Sequence, residues 1–176
     1  MRKFLVTTGL LLSSMSASAS VITEFLNNEN DLQWRVVNDN VMGGRSLGDF
    51  VVQDEILRFT GVTNTRGGGF SSIRSVSRTL GISEVDQGLE LLVKGDRRIY
   101  IVRLQTSDGV TYWAEFPSSE EWASTRVAFS EFEPRWRGRA LNGPVLIPSR
   151  IVSLGLMIYD GQDGKFSLMV DKISVF

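Results

Sequence analysis

The sequence predicts an all-β protein built as an antiparallel β-sandwich, with a closed β-barrel as the alternative. Short runs of alternating or β-branched residues follow one another along the chain, and clusters of Gly, Asn, Asp and Ser separate them. No long segment has the periodicity of an amphipathic helix. The chain has 176 residues, of which 42% are hydrophobic and 22% are charged, so we expect one domain with one hydrophobic core.

The first 19 residues have the pattern of a secretory signal peptide, which predicts a single mature domain at residues 20–176. Residues 1–3 are basic at two positions, residues 4–12 are mostly apolar, and residues 17–19 form an Ala-Ser-Ala cleavage site. The apolar run is shorter than the ~20 residues that a transmembrane helix requires. We therefore expect an exported protein, periplasmic or secreted, without a transmembrane segment; an uncleaved anchor or a buried helix is the alternative.

Nine runs after residue 20 are predicted to form strands, because they combine β-branched or aromatic residues with polar boundaries. They are residues 34–38, 56–60, 70–74, 88–94, 98–106, 110–116, 125–128, 151–159 and 165–176. Residues 21–27 are predicted to be a short helical or extended lead-in. Residues 117–150 contain all four prolines and are expected to be the one long irregular region.

The run at residues 98–106 is predicted to be a central strand. Side chains alternate along a strand, so Tyr100, Val102 and Leu104 share one face, and Arg103 lies on the other face between apolar neighbours. Because both faces are largely apolar, we expect neighbouring strands on both sides of this run.

Two turns organise the second half of the chain. Asp-Gly at residues 108–109 supplies the positive φ of a tight β-hairpin. A second return is predicted at residues 159–164, which are rich in Asp and Gly. After it, Phe166, Leu168 and Val170 alternate toward the core, which predicts that the chain ends inside a sheet.

The composition excludes most catalytic chemistry. The chain has no His and no Cys, which removes disulfides, zinc fingers, haem attachment and His-dependent nucleophiles. Three pairs of neighbouring carboxylates lie in turn-like segments, where we expect solvated side chains rather than a general acid and base; they are Glu84 with Asp86, Glu120 with Glu121, and Asp160 with Asp163. A calcium ion at Asp160 and Asp163 is the alternative. We assign no metal and no cofactor, and the net charge of −1 gives no field for binding nucleic acid.

Two glycine-rich stretches, residues 38–46 and 66–70, have two interpretations. Their backbone amides could cradle an anion, although neither has the spacing of a phosphate-binding loop. Alternatively, the glycines permit positive φ or a close backbone approach at the corners of the sheet. Asn38 and Asp39, at the start of the first stretch, are candidate site residues whose alternative role is to close a turn.

The segment at residues 132–139 is the most distinctive candidate for a binding surface. It interleaves three Arg with Trp136, and guanidinium groups both donate hydrogen bonds in a rigid fork and stack on aromatic rings. The alternative is that Trp136 anchors the loop while the Arg side chains pair with Glu131 and Glu133. The predicted partner- or ligand-binding residues are Asn38, Asp39, Arg74, Arg103, Trp136 and Arg137.

Arg103 needs a partner or a cavity, because a charge on a central strand is costly when it is unpaired. Glu115 on the next predicted strand is the expected partner. A pocket on the sheet is the alternative.

Four segments of the chain resemble the complex I intermediate-associated protein 30 family. They are residues 34–46 (W-R-V-V-N-D-N-V-M-G-G-R-S), 59–74 (F-T-G followed by R-G-G-G-F-S-S-I-R), 129–138 (F-S-E-F-E-P-R-W-R-G) and 151–166 (I-V-S-L-G-L-M-I-Y-D-G-Q-D-G-K-F). The resemblance spans nearly the whole predicted mature chain. It implies a galactose-binding-like jelly roll, and a role like that of eukaryotic members, which assist assembly of the respiratory NADH dehydrogenase by binding proteins.

We therefore expect a non-catalytic binding or assembly module that acts through contacts with an unidentified protein partner. The alternative is a carbohydrate-binding module, because jelly rolls carry sugars on aromatic platforms, and Trp113, Trp122 and Trp136 lie near one hairpin and the long loop. A third class, an enzyme that uses only Asp or Glu, is not expected.

Overall fold

Two antiparallel sheets make up the computed structural model, which describes residues 20–26 and 31–176. The predicted signal peptide lies outside the described residues. The strands are β1 (Val21–Thr23), β2 (Trp34–Asn38), β3 (Leu47–Gln53), β4 (Ile56–Thr63), β5 (Ser71–Ser75), β6 (Gly88–Lys94), β7 (Ile99–Thr106), β8 (Thr111–Pro117), β9 (Ala123–Ala128), β10 (Glu133–Trp136), β11 (Arg139–Ala140), β12 (Ile151–Ile158) and β13 (Gly164–Val175). Three short 3₁₀ helices, Asp39–Met42, Phe129–Glu131 and Pro148–Arg150, connect them.

The strand order defines two separate layers. One sheet has the order β3-β4-β13-β6-β9, with β1 also paired to β13; the other has the order β11-β10-β8-β7-β12-β5-β2. The buried apolar side chains of both sheets form one core cluster between the layers. This confirms the predicted antiparallel sandwich, and the barrel alternative is wrong because the two sheets remain separate. No helix in the described ranges is long and apolar enough to cross a membrane.

All nine predicted strand runs contain strands, and β7 is central as predicted. Tyr100, Val102 and Leu104 are fully buried in the core, while β8 and β12 flank β7 on either side. The predicted hairpin at Asp108-Gly109 joins β7 to β8, with Gly109 at φ 87°.

The prediction missed β3, β10 and β11, and it left β1 undecided between helix and strand. β3 is an edge strand in which no side chain is buried, so its sequence lacks a clear apolar alternation. Gly48 within it is required by packing, because a Cβ there would overlap the Ser71 side chain. β10 and β11 lie within the region predicted to be irregular.

The return at residues 159–164 joins the two sheets rather than two neighbouring strands. β12 belongs to the seven-stranded sheet and β13 to the other, where β13 lies between β4 and β6. The predicted inward residues of β13, Phe166, Leu168 and Val170, are buried. The chain therefore ends inside a sheet, as predicted.

The buried guanidinium of Arg98 holds the return at residues 159–164 in place. Arg98 donates to both carboxylate oxygens of Asp160, at 2.8 and 2.5 Å, and to the carbonyl of Gln162 at 2.9 Å. Burial would raise the pKa of Asp160, but the hydrogen bonds from Arg98 outweigh it and the pKa is lowered. Asp163 instead accepts a bond from the Thr65 amide at 2.6 Å. Asp160 and Asp163 therefore bind different partners. In the part of the chain that the structure describes, no group of three acidic side chains is placed to hold a metal ion such as the calcium considered above.

Candidate functional site

Cationic side chains line up across the outer face of the seven-stranded sheet. Backbone pairing places Arg35 opposite Arg74, Arg74 opposite Gly155, Gly155 opposite Arg103, and Arg103 opposite Trp113. The neighbouring residues along each strand are packed in the core, so these side chains point away from it. We call Arg35, Arg74 and Arg103 the arginine row.

A cleft of about 250 Å³ opens beside this row. Arg74 and Met157 contribute from the sheet, and loops contribute Phe70 before β5 and Tyr159 after β12. The Tyr159 ring meets the rings of Trp113 and Phe70 edge-on, with centroids 6.2 Å away in each case. The cleft is therefore lined by aromatic rings with cationic groups beside them.

Hydrogen-bond donors on this face lack partners. Nη1 of Arg103, Nε1 of Trp113 and Nε of Arg135 are buried and unpaired, and among the described residues only Trp34 has another such side-chain atom. The Arg135 guanidinium lies 5.8 Å from the centroid of the Trp113 ring. Buried donors are normally paired in folded proteins, so these N–H groups are unsatisfied polar groups beneath this part of the sheet surface.

The arginine row has no compensating carboxylate. Within residues 20–26 and 31–176, no ion pair involves Arg35, Arg74 or Arg103. Burial lowers the pKa of Arg74, and the charge of Arg35 lowers it further. Burial also lowers the pKa of Arg103 to about 10, together with the charges of Arg74 and Arg35.

The expected pairing of Arg103 with Glu115 is wrong. Glu115 is exposed and lies opposite Ile101, two residue pairs away from Arg103 along the strands. Arg103 instead donates from Nη2 to Thr111 Oγ1 at 2.9 Å and to Gln105 Oε1 at 3.4 Å. Its hydrogen-bond acceptors among the described residues are therefore neutral oxygens.

Asp39 lies inside the protein. Its carboxylate accepts bonds from the Ser46 amide at 2.8 Å, the Ser46 hydroxyl at 2.6 Å and the Gly69 amide at 2.6 Å. Burial would raise the pKa of Asp39, but the bonds from Ser46, Gly69 and Phe70 outweigh it and the pKa is lowered. A Cβ at Gly44 or Gly68 would overlap this carboxylate. The two glycine-rich stretches therefore do surround an anion, which is the protein's own side chain.

Asn38 also binds its own chain. Its amide nitrogen donates to the Gly48 carbonyl at 3.1 Å, and its side-chain oxygen accepts from the Gly48 amide and the Ser71 hydroxyl. Asn38 and Asp39 do not line the cleft. Asp39 contributes indirectly, because its hydrogen bond fixes Gly69 beside Phe70, which does line it.

Arg137 reaches the cleft from the turn between β10 and β11, whereas Trp136 stays outside it. Trp136 is 63% exposed, and the Arg137 guanidinium lies 5.7 Å from the centroid of its ring. Arg135 pairs with Glu133 at 2.7 Å, which is the salt bridge considered in the sequence. Of the predicted site residues, Arg74 and Arg137 thus line the cleft, whereas Arg103 belongs to the arginine row and does not line it.

The three tryptophans of the carbohydrate-binding alternative do not form one platform. Trp113 lines the cleft, but Trp122 directly precedes β9, at the edge of the other sheet. Sequence reasoning missed Phe70, Tyr159 and Arg35 as residues of this face. The pairing register of distant strands places these residues on this face, and a short sequence motif does not specify that register.

Solved structures with the same fold include carbohydrate-binding modules. The family 11 carbohydrate-binding module of Clostridium thermocellum, solved with a β-1,3-1,4-mixed-linked tetrasaccharide, superposes with a TM-score of 0.61 at 14% identity. The superposition covers 92% of this chain and 97% of that one. A variant of a family 29 carbohydrate-binding module gives a TM-score of 0.55 at 9% identity, over 90% and 91% of the two chains. These similarities confirm the jelly-roll fold predicted from the family resemblance.

Sequence comparison identifies relatives of a different kind. An uncharacterised protein of Schizosaccharomyces pombe is 29% identical over 173 residues, which covers 83% of this chain and 78% of that protein. Residues 23–170 match the family described as complex I intermediate-associated protein 30. The match covers most of the chain and includes the Asp39 motif, the arginine row and the cleft, so this protein belongs to the complex I intermediate-associated protein 30 family.

Proposed function

We propose that this protein is a non-catalytic binding module whose ligand occupies the cleft on the outer face of the seven-stranded sheet. The observation that carries the proposal is the cleft itself, in which Arg74 and Arg137 lie beside the rings of Phe70, Trp113 and Tyr159. A few polar groups converging on an apolar, aromatic-lined cleft are typical of ligand sites. The described residues that line the cleft include no carboxylate to act as an acid or base.

The ligand that this lining favours is a glycan. The rings of Trp113 and Tyr159 can pack against the C–H faces of a sugar, while N–H donors bind its oxygens. The volume of the cleft is small for a whole ligand, so it suits one unit of a longer chain that continues across the sheet. The fold shared with glycan-binding modules supports this choice over a small metabolite.

Replacing Trp113 by Ala should weaken glycan binding at least about tenfold, because the change removes one aromatic wall of the cleft. Binding can be screened on a glycan array and quantified by calorimetry. Trp122→Ala is the matched control, since Trp122 is also partly exposed but adjoins the other sheet. Equal affinity of the Trp113 variant and the natural protein would refute a glycan site in this cleft.

A protein partner is the second candidate function, and the exposed Trp136 favours it. Trp and Arg dominate the binding energy of many protein interfaces, and Trp136 with Arg137 forms such a pair at a sheet edge. An assembly role, as the family name suggests, would use this edge.

Changing Trp136 and Arg137 to Ala together should release a partner that crosslinks to the protein in intact cells. Mass spectrometry of the crosslinked material measures this loss. Trp113→Ala serves as the comparison, because it alters the cleft and leaves the edge pair in place. Recovery of every partner with the double variant would count against this candidate.

We also propose export, on the pattern of residues 1–19. The intact mass of the protein recovered from the cells that produce it should correspond to a chain that begins at Ser20. A mass that includes residues 1–19 would contradict cleavage.

A further inference from the structure

Tyr159 lines the cleft from a position just beyond the end of a strand. The backbone pairing of β12 with both of its neighbours ends at Ile158, so Tyr159 is the first residue outside the sheet. Its side chain is 44% exposed, and its ring meets the rings of Trp113 and Phe70 edge-on. The position of the Tyr159 ring therefore depends on what holds the chain that follows it.

Asp160, the next residue, is held by the guanidinium of Arg98. Two parallel bonds join these side chains, from Nε to Oδ2 at 2.8 Å and from Nη2 to Oδ1 at 2.5 Å. The side chains of Arg98 and Asp160 are only 10% and 4% exposed, so water and salt screen this pair little. Paired charge-assisted bonds of this kind are strong and fix the relative geometry of the two groups. The chain is therefore anchored immediately after Tyr159.

Arg98 also connects this return to the six-stranded sheet. Its guanidinium donates, at 2.9 to 3.3 Å, to Thr63 Oγ1 and to the carbonyls of Gln162, Gly164 and Lys165. Thr63 ends β4 and Gly164 begins β13, and both strands belong to that sheet. Arg98 itself directly precedes β7 in the seven-stranded sheet. One side chain therefore joins the two sheets at the return.

We propose that Arg98 is a positioning residue of the cleft, which acts through Asp160 to hold Tyr159 between the rings of Trp113 and Phe70. Neither Arg98 nor Asp160 lines the cleft, so their effect on a ligand passes through Tyr159. The inference rests on the proposed function, because a fixed ring affects affinity only if the cleft binds a ligand. A side chain that is already ordered in the free protein lowers the entropic cost of binding.

The position of Tyr159 can be measured without a ligand. The chain has three tyrosines, so 3-fluorotyrosine labelling gives one ¹⁹F NMR signal each for Tyr100, Tyr112 and Tyr159, and Tyr159→Phe identifies the last of them. Arg98→Lys keeps the charge without the two-pronged geometry, so it should shift the Tyr159 signal toward that of a solvent-exposed tyrosine. The Tyr112 signal should stay in place, because Tyr112 lies opposite Leu104, far from the Arg98 end of β7.

Two further variants separate positioning from a general loss of stability. Asp160→Asn keeps the shape of the side chain and weakens the same pair, so it should also shift the Tyr159 signal, and it replaces Arg98→Lys if that variant does not fold. Leu89→Ala is the matched control, because it lowers stability by opening a cavity in the core. Leu89 pairs with Val175, at the opposite end of β13 from the return, so this change should leave the Tyr159 signal in place.

Calorimetry with cellotetraose, a neutral glycan whose rings can pack on aromatic walls, connects the position of the ring to binding. Arg98→Lys should weaken binding about three- to tenfold, the affinity lost when the ligand must order a side chain itself. In a Tyr159→Ala background the same change should have no further effect on affinity, because Arg98 then has no ring to position. Its effect on stability should remain in both backgrounds.

The outcomes distinguish this inference from the proposed function. A Tyr159 signal that stays in place in both Arg98→Lys and Asp160→Asn, or that moves equally in Leu89→Ala, would overturn the positioning role. A loss of affinity in Arg98→Lys that persists in the Tyr159→Ala background would also overturn it. A shifted Tyr159 signal, together with no binding of cellotetraose by the natural protein, would keep the positioning of the ring and count against this glycan as the ligand.

Discussion

Replacing Asp39 by Ala should lower the free energy of unfolding by about 3–5 kcal/mol, the loss expected when one member of a buried charged network is removed. The change leaves the amides of Ser46 and Gly69 and the Ser46 hydroxyl buried without their acceptor. Each such group carries its own desolvation cost. Urea denaturation, followed by tryptophan fluorescence, measures the loss.

The control for this prediction is Asp49→Ala, because Asp49 is exposed on the edge strand β3. Its effect should stay within about 0.5 kcal/mol, as for most surface substitutions. If the Asp39 variant is too unstable to purify, Ser46→Ala removes one of the three bonds and should cost about 1–3 kcal/mol. Full stability of both variants would show that the carboxylate does not hold the glycine-rich loops.

The Asp39 carboxylate should also make the free energy of unfolding depend on pH in the acid range. The pKa of Asp39 in the folded protein lies below its ordinary value of 3.8, so the ionised form is favoured by folding. Its contribution is complete above pH 3.8 and is lost as the pH falls through the lower, folded-state pKa. The Asp39→Asn variant should lose this part of the acid sensitivity while it is less stable at neutral pH.

Replacing Arg103 by Met should raise the free energy of unfolding by about 1–3 kcal/mol, whereas the Asp39 change lowers it. The substitution removes a charge that is buried without a counter-ion and that Arg74 and Arg35 repel. Met fills a similar elongated volume and adapts to irregular space. Thermal and urea unfolding of the protein measure the gain.

The pH range of this penalty follows from the pKa of Arg103, which burial lowers to about 10 in the folded protein, below its ordinary value. Below pH 10 the side chain is charged in both the folded and the unfolded protein, so the penalty is constant through neutral pH. It is relieved only as the pH rises above about 10, toward the ordinary pKa of arginine. Arg103→Lys keeps the charge and should not stabilise. A loss of stability in Arg103→Met would mean that the bonds to Thr111 and Gln105 outweigh the cost of burial.

The strands were largely predictable because side-chain alternation is a local property. Tyr100, Val102 and Leu104 indicate the inner face of β7 without knowledge of its neighbours. The sequence pattern did not predict β3, because an edge strand without buried side chains needs no apolar alternation. The position of Gly48 in β3 depends on Ser71, which is distant in sequence.

The candidate site was only partly predictable, because it depends on register between distant segments. The pattern around Arg103 indicated that its side chain leaves the core, but only pairing through Gly155 brings it beside Arg74. The family motif located Asp39 without indicating its role. A carboxylate on the surface and one surrounded by its own backbone amides look alike in sequence, and the close approach of Gly44 separates them.

The two ends of the described chain have a practical consequence for experiments. β1 and β13 pair with each other in the six-stranded sheet, whereas the cleft is on the outer face of the opposite sheet. A tag, a bead or a fused protein that is joined near Ser20 or Phe176 is therefore attached to the six-stranded sheet, which does not carry the cleft. Immobilisation near Ser20 or Phe176 should leave the cleft facing the solution, so sensor-chip measurements can sample it unobstructed.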